Sequence, residues 1–162
     1  MDHPLMNLLS QSPQLCDCLY IVNVEAVVYH AGKYLMITRG LNEANAPGTL
    51  SFPGGKIEGE TNTANVVEET LRREIREEAG VEVGPELVYL KSKAFTGSDG
   101  KPIIDLVFLC RYAGGELHAQ VAEVADLGWM GLEEVIAHPK APPWTIADIR
   151  SADEARKALN WS

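Results

Sequence analysis

Three glutamates stand at Glu74, Glu77 and Glu78, spaced i, i+3, i+4. On a helix turning 100° per residue, that spacing places them within an arc of about 100°. Like charges this close weaken an isolated helix, and a counter-charge relieves them. A hard cation such as Mg²⁺ takes oxygen ligands and is suited to that task. Taken alone, a glutamate-rich helix is usually a solvated face. The upstream residues argue otherwise. Gly54-Gly55 is a place where a backbone turns tightly and offers carbonyls or amides to a ligand, and Lys56, Glu58 and Glu60 follow at once.

The carboxylates need a helix, and the pattern supplies one over residues 65–80. Val67, Leu71, Ile75 and Ala79 form an apolar stripe beside the carboxylate arc, and Gly80 suits a helix C-terminus. Asn65 is a candidate N-cap. Glu68 falls inside the apolar arc, either as the third helical residue or at the arc's solvent edge. Glu69 and Arg73 are spaced for an ion pair.

Around the helix the chain reads as strands. Leu19–His30 and Lys33–Arg39 form a hairpin through Ala31-Gly32, and Thr49–Phe52 is a short extended piece. Leu87–Phe95 and Ile103–Tyr112 are two more strands, joined by a turn-rich stretch. Leu132–His138 reads as a short helix closed by Pro139. A terminal helix follows Pro142-Pro143, with Ser151 and Glu154 placed as a capping box. Residues 1–18 form a loose lead-in, and residues 19–162 are expected to make one mixed α/β domain.

The stretch Pro53-Gly54-Gly55-Lys56-Ile57-Glu58-Gly59-Glu60, with Arg73-Glu74-Ile75-Arg76-Glu77-Glu78-Ala79-Gly80-Val81, resembles the Nudix box. The second half matches at every fixed position. The first half matches with Gly54 as its glycine, five residues before Glu60. The departure lies between Glu60 and Arg73, where twelve residues stand in place of seven. That leaves the role of Glu60 open and the helix glutamates untouched. Leu127-Gly128-Trp129-Met130, with the residues after it, is similar to the segment that closes many Nudix domains.

The resemblance implies an α/β/α sandwich around a mixed central β-sheet. It implies a hydrolase that uses Mg²⁺ or Mn²⁺ to cleave the diphosphate linkage of a nucleoside diphosphate derivative. By position, Glu78, Glu74 and Glu77 are then the metal ligands, with the carbonyl of Gly55 as a further one. Arg73 orients a box glutamate, and Lys56 touches phosphate oxygens or stays solvated. The general base is Glu74 itself or a glutamate outside the box, for which Glu123 is the candidate. Trp129 stacks on a base or serves as a buried anchor. Positions 95–99 show neither the proline that marks many ADP-ribose enzymes nor the tyrosine that marks many dinucleoside polyphosphate enzymes, which points to a nucleoside triphosphate-like substrate. Homodimers are common in the family, though nothing here specifies an interface.

Two other functions remain in view. One is a non-catalytic Nudix-type domain that binds a nucleotide as a sensor, although such domains typically lose box glutamates. The other is isomerisation of a small isoprenoid diphosphate. It would need an active-site thiol, and Cys110 lies in an apolar run.

The whole chain has 162 residues and a net charge of −9. Such a charge opposes a general grip on nucleic acid, which needs a basic surface. Nine acidic and four basic residues between Lys56 and Glu86 supply more than half of the excess. No secretory signal or membrane-spanning run is visible. Three cysteines without framework spacing suit a reducing compartment, so the expected location is the cytoplasm. Cys16 and Cys18 lack the partners of a metal site and read as incidental thiols.

Overall fold

A computed structural model describes residues 19–59 and 63–162. The lead-in, Cys16, Cys18 and Glu60 lie outside the described residues.

The order is β1 (Ile21–His30), β2 (Lys33–Arg39), β3 (Leu50–Ser51), β4 (Gly54–Lys56), α1 (Val66–Ala79), β5 (Val81–Thr96), β6 (Pro102–Gly115), β7 (Val124–Met130), α2 (Leu132–Ala137) and α3 (Pro143–Ala158). Five strands run in the order β3-β2-β1-β6-β5, with β4 on β1 and β7 on β2. The β1–β6 pair is parallel and the other pairs are antiparallel, so the sheet is mixed.

Strand β1 is central and buried on both faces, which suits its β-branched run. Val24, Ala26 and Val28 point to one face, where they pack with Leu71, Ile75 and Ala79 of α1. Val27 and Tyr29 point to the other, where Val135 of α2 and Ile149 and Ala152 of α3 join them. The helices therefore lie on both faces, as the α/β/α expectation requires.

Strand β1 also changes partner along its length. Asn23, Val24 and Glu25 pair with Lys56, Gly55 and Gly54 of β4. Tyr29 and His30 pair with Tyr34 and Lys33 of β2.

Several elements differ from the sequence reading. Strands β4 and β7 are additional. Strand β5 begins at Val81 rather than Leu87, because Gly84-Pro85 sits in a bulge and not in a break. Arg72 donates to the carbonyls of Val83 at 3.0 Å, Gly84 at 2.9 Å and Pro85 at 3.1 Å, and so satisfies the bulge. Ser151 and Glu154 are not a capping box. Helix α3 starts at Pro143, since proline lacks the N–H that the first turn leaves unused. Ser151 then falls mid-helix, and its hydroxyl donates to the Ala147 carbonyl at 3.1 Å.

Candidate active site

Helix α1 is closed at its C-terminus and lacks a side-chain cap at its N-terminus. Asn65 is the N-cap, in the left-handed region and without a side-chain cap, and Glu68 is the third helical residue and exposed. At the C-terminus Gly80 takes φ 75°, and its N–H donates to Arg76 O at 2.9 Å. A side chain at Gly80 would meet Glu116 O at 2.6 Å, so the position also needs close approach.

Glu74 and Glu78 lie on the buried face of α1 with Leu71, Ile75 and Ala79. Only 4% of Glu78 is exposed. Its Oε2 accepts from the Gly54 N–H at 2.9 Å. Burial pushes the Glu78 carboxyl up to about 8, against the lowering effect of that hydrogen bond. Glu74 is raised as well, first by burial and then by Glu77 and Glu123, while Arg73 opposes. Gly55 packs so closely on Glu74 that a Cβ there would overlap its carboxyl group.

Arg73 bridges two glutamates. Its Nη2 lies 2.8 Å from Glu74 Oε1, and its Nη1 lies 3.0 Å from Glu77 Oε2. The expected pair with Glu69 is absent, because these two carboxylates take the guanidinium instead. The Glu77 side chain is about half-exposed.

One cleft of about 800 Å³ is lined by all seven residues singled out from the sequence: Gly55, Lys56, Arg73, Glu74, Glu77, Glu78 and Glu123. A volume of that size suits a nucleotide-sized ligand. Glu123 reaches the cleft because its backbone carbonyl is held by the Gly40 N–H at 2.8 Å. His118 is exposed, and its backbone N–H donates to Ala79 O at 2.9 Å. Trp129 is not among the lining residues. Its ring sits 5.4 Å from His30 and 5.5 Å from Tyr112, in the core on the α1 side, so it is an anchor. Cys110 is fully buried in the same core, and burial pushes its thiol up to about 12. It is also not among the residues that line the cleft.

The donor set fits a hard divalent cation. Glu74 and Glu78 are buried carboxylates that burial makes reluctant to ionise, and a positive ion beside them reverses that cost. Among the described residues no three carboxylate, imidazole or thiol groups already converge as a ligand cluster.

The cleft has a second half that the sequence reading missed. Asn23, Glu25, Lys93, Phe95, Asp105 and Trp144 also line it. The signal was present in part. Asn23, Glu25 and Asp105 interrupt apolar strands at positions pointing to the α3 face, where a polar residue needs a reason.

A family model for the NUDIX domain matches residues 19–150. A curated relative, the NAD-capped RNA hydrolase NudC of Stutzerimonas stutzeri (strain A1501), is 35% identical over 98 residues, which are 58% of this chain and 31% of that protein. Its counterpart from Chromobacterium violaceum is 31% identical over 117 residues, covering 70% of this chain and 39% of that one. The chain thus spans well under half the length of these curated relatives. Among solved structures, the NUDIX domain of Shewanella oneidensis NrtR complexed with ADP ribose superposes with a TM-score of 0.67 at 22% identity, covering 98% of this chain and 99% of that one. That likeness concerns the fold. The matched span takes in the glycine turn, helix α1 and the three layers around them, and the chain belongs to the NUDIX domain family.

Proposed function

We propose that this chain is a divalent-metal-dependent hydrolase that cleaves the diphosphate linkage of a nucleoside diphosphate derivative, with a nucleoside triphosphate-like molecule as its substrate. The observation that carries this reading is the Glu78 carboxylate, buried and fixed by Gly54 beside a second buried carboxylate, Glu74.

Glu78, Glu74, Glu77 and the Gly55 carbonyl would hold Mg²⁺ or Mn²⁺. When bound, such an ion neutralises phosphate oxygens and lowers the pKa of water. The chain's own residues supply the rest. Arg73 holds Glu74 in place by a charge-assisted hydrogen bond. Lys56, exposed on β4 at the cleft, offers an ammonium to phosphate. Glu74 or Glu123 takes the proton of the attacking water, and both carboxylates line the same cleft.

The test is Mg²⁺-dependent release of phosphate products from a nucleotide panel. The curated relatives' name adds NAD-like dinucleotides and capped RNA to that panel. Turnover that disappears in Glu78→Gln supports the reading. A panel without any turnover sinks it, and binding without turnover favours the sensor.

A further inference from the structure

The second half of the cleft is built on Lys93. Its ammonium has three N–H donors. Glu25 Oε2 lies at 3.4 Å, Asp105 Oδ2 at 3.1 Å and Asp148 Oδ2 at 2.5 Å. It donates hydrogen bonds to Glu25 and Asp148 and forms an ion pair with Asp105, so three carboxylates meet its charge. Asp105 and Asp148 lie beneath it, with side chains 2% and 1% exposed. Asn23 donates through Nδ2 to Asp105 Oδ1 at 2.8 Å, which leaves its carbonyl oxygen as an acceptor. Glu25 is more open, at 18%.

This half of the cleft thus meets a ligand with acceptors. A phosphate is unsuited to it, because three carboxylates surround the one lysine and repel a further anion. Phosphates belong to the other half, beside Lys56. Two exposed aromatic rings, Phe95 and Trp144, also line this half. Such rings favour a flat, unsaturated group.

We propose that Glu25 is a specificity-determining residue, and that this half of the cleft takes a nucleobase bearing an exocyclic amino group. An amino group brings N–H donors to a carboxylate, whereas a keto oxygen at the same ring position brings an acceptor against an acceptor. Burial, then Asp105, holds the Glu25 carboxyl above the usual carboxylate range. An N–H donor set against it favours the ionised form and draws it back. The inference rests on the reading of the chain as a nucleotide hydrolase.

Matched nucleotides whose bases exchange an exocyclic amino group for a keto oxygen test it: cytidine against uridine triphosphate, adenosine against inosine triphosphate, and NAD against its hypoxanthine counterpart. The wild-type protein should prefer the amino member by roughly tenfold or more in kcat/KM. Glu25→Gln should bring that ratio close to one, because a carboxamide offers both a donor and an acceptor. Calorimetric titration of the same pairs onto the wild-type protein reads the preference without turnover. It also needs no variant, should Glu25→Gln fail to fold. Equal treatment of the pairs by the wild-type protein, in kinetics or in binding, overturns the assignment, as does a ratio that Glu25→Gln leaves intact. Loss of turnover with the binding preference retained would instead overturn the hydrolase reading and leave this one standing.

Discussion

Gly54 donates its backbone N–H to Glu78 Oε2 at 2.9 Å, joining the β4 turn to the last turn of α1. The bond makes a buried carboxylate tolerable without neutralising it. Glu78→Gln should therefore lower hydrolysis by about 10²-fold or more. Its melting temperature should match or exceed that of the wild type, because a neutral side chain of the same shape relieves the burial cost. Steady-state kinetics beside a thermal melt check both halves. A large fall in melting temperature would show that the loss of activity is only misfolding.

Gly55 has no room for a methyl group against the Glu74 carboxyl. Gly55→Ala should displace Glu74 and cost about 10²-fold in kcat, the scale of a misplacement near 1 Å. Circular dichroism should show the fold retained.

Arg73 holds Glu74 and Glu77 together from a position 42% exposed. Exposed pairs of this kind add little stability, so Arg73→Lys should change unfolding free energy by less than about 1 kcal/mol. A single ammonium cannot reproduce the two-pronged fork, and kcat should fall by about tenfold. Urea unfolding and kinetics on the same preparation separate the two effects.

These contacts also mark what the sequence discloses. Helix α1 is legible because its apolar stripe, its glycine C-cap and its carboxylates are all local signals. The β/α layering follows from runs such as Ile21–His30. Strand β4 is hidden because Gly-Gly-Lys has no strand preference, and it exists only through pairing with β1. Strand β7 is set in the same way by pairing with β2. The second half of the cleft is hidden because its contacts span long stretches of chain, such as Asn23 to Asp105 across 82 positions. Periodicity places Glu77 on the arc, and its pairing with Arg73 is a contact that angle alone does not show.

Tyr34, Arg156 and Lys157 surround Asp153, with distances of 2.6, 2.9 and 2.6 Å. Burial alone would raise this carboxyl, yet hydrogen bonds from Lys157, Tyr34 and Arg156 outweigh burial and hold it below its usual range. Stability from the ionised form is then complete above the unfolded-state pKa and is lost as pH falls through the lower folded-state value. Asp153→Asn should be less stable than the wild type by about 1–3 kcal/mol at neutral pH. The gap should narrow on the acid side, below the normal aspartate pKa. Urea unfolding of both proteins across pH 3–7 reads it, and a gap constant with pH would refute the assignment.

Cys110 is fully buried, with its thiol held near the protonated form. Alkylation of the native protein at pH 8 should leave it unmodified, while denaturant should expose it to full labelling. Peptide mass spectrometry distinguishes this site from Cys16 and Cys18. Rapid native labelling at Cys110 would reopen the thiol-dependent chemistry.

The register of β4 on β1 places Gly54 directly across from Glu25 and Gly55 across from Val24. The backbone that carries the box turn is therefore clamped to the strand that carries the other end of the cleft. Side chains can shift, but these two points stay one strand spacing apart. A slip of β4 by one residue would do more than shift Gly54, since alternate residues face opposite sides of a strand. The box turn and the Glu25 backbone are thus tied to each other by main-chain pairing, which a side-chain substitution at Glu25 leaves in place.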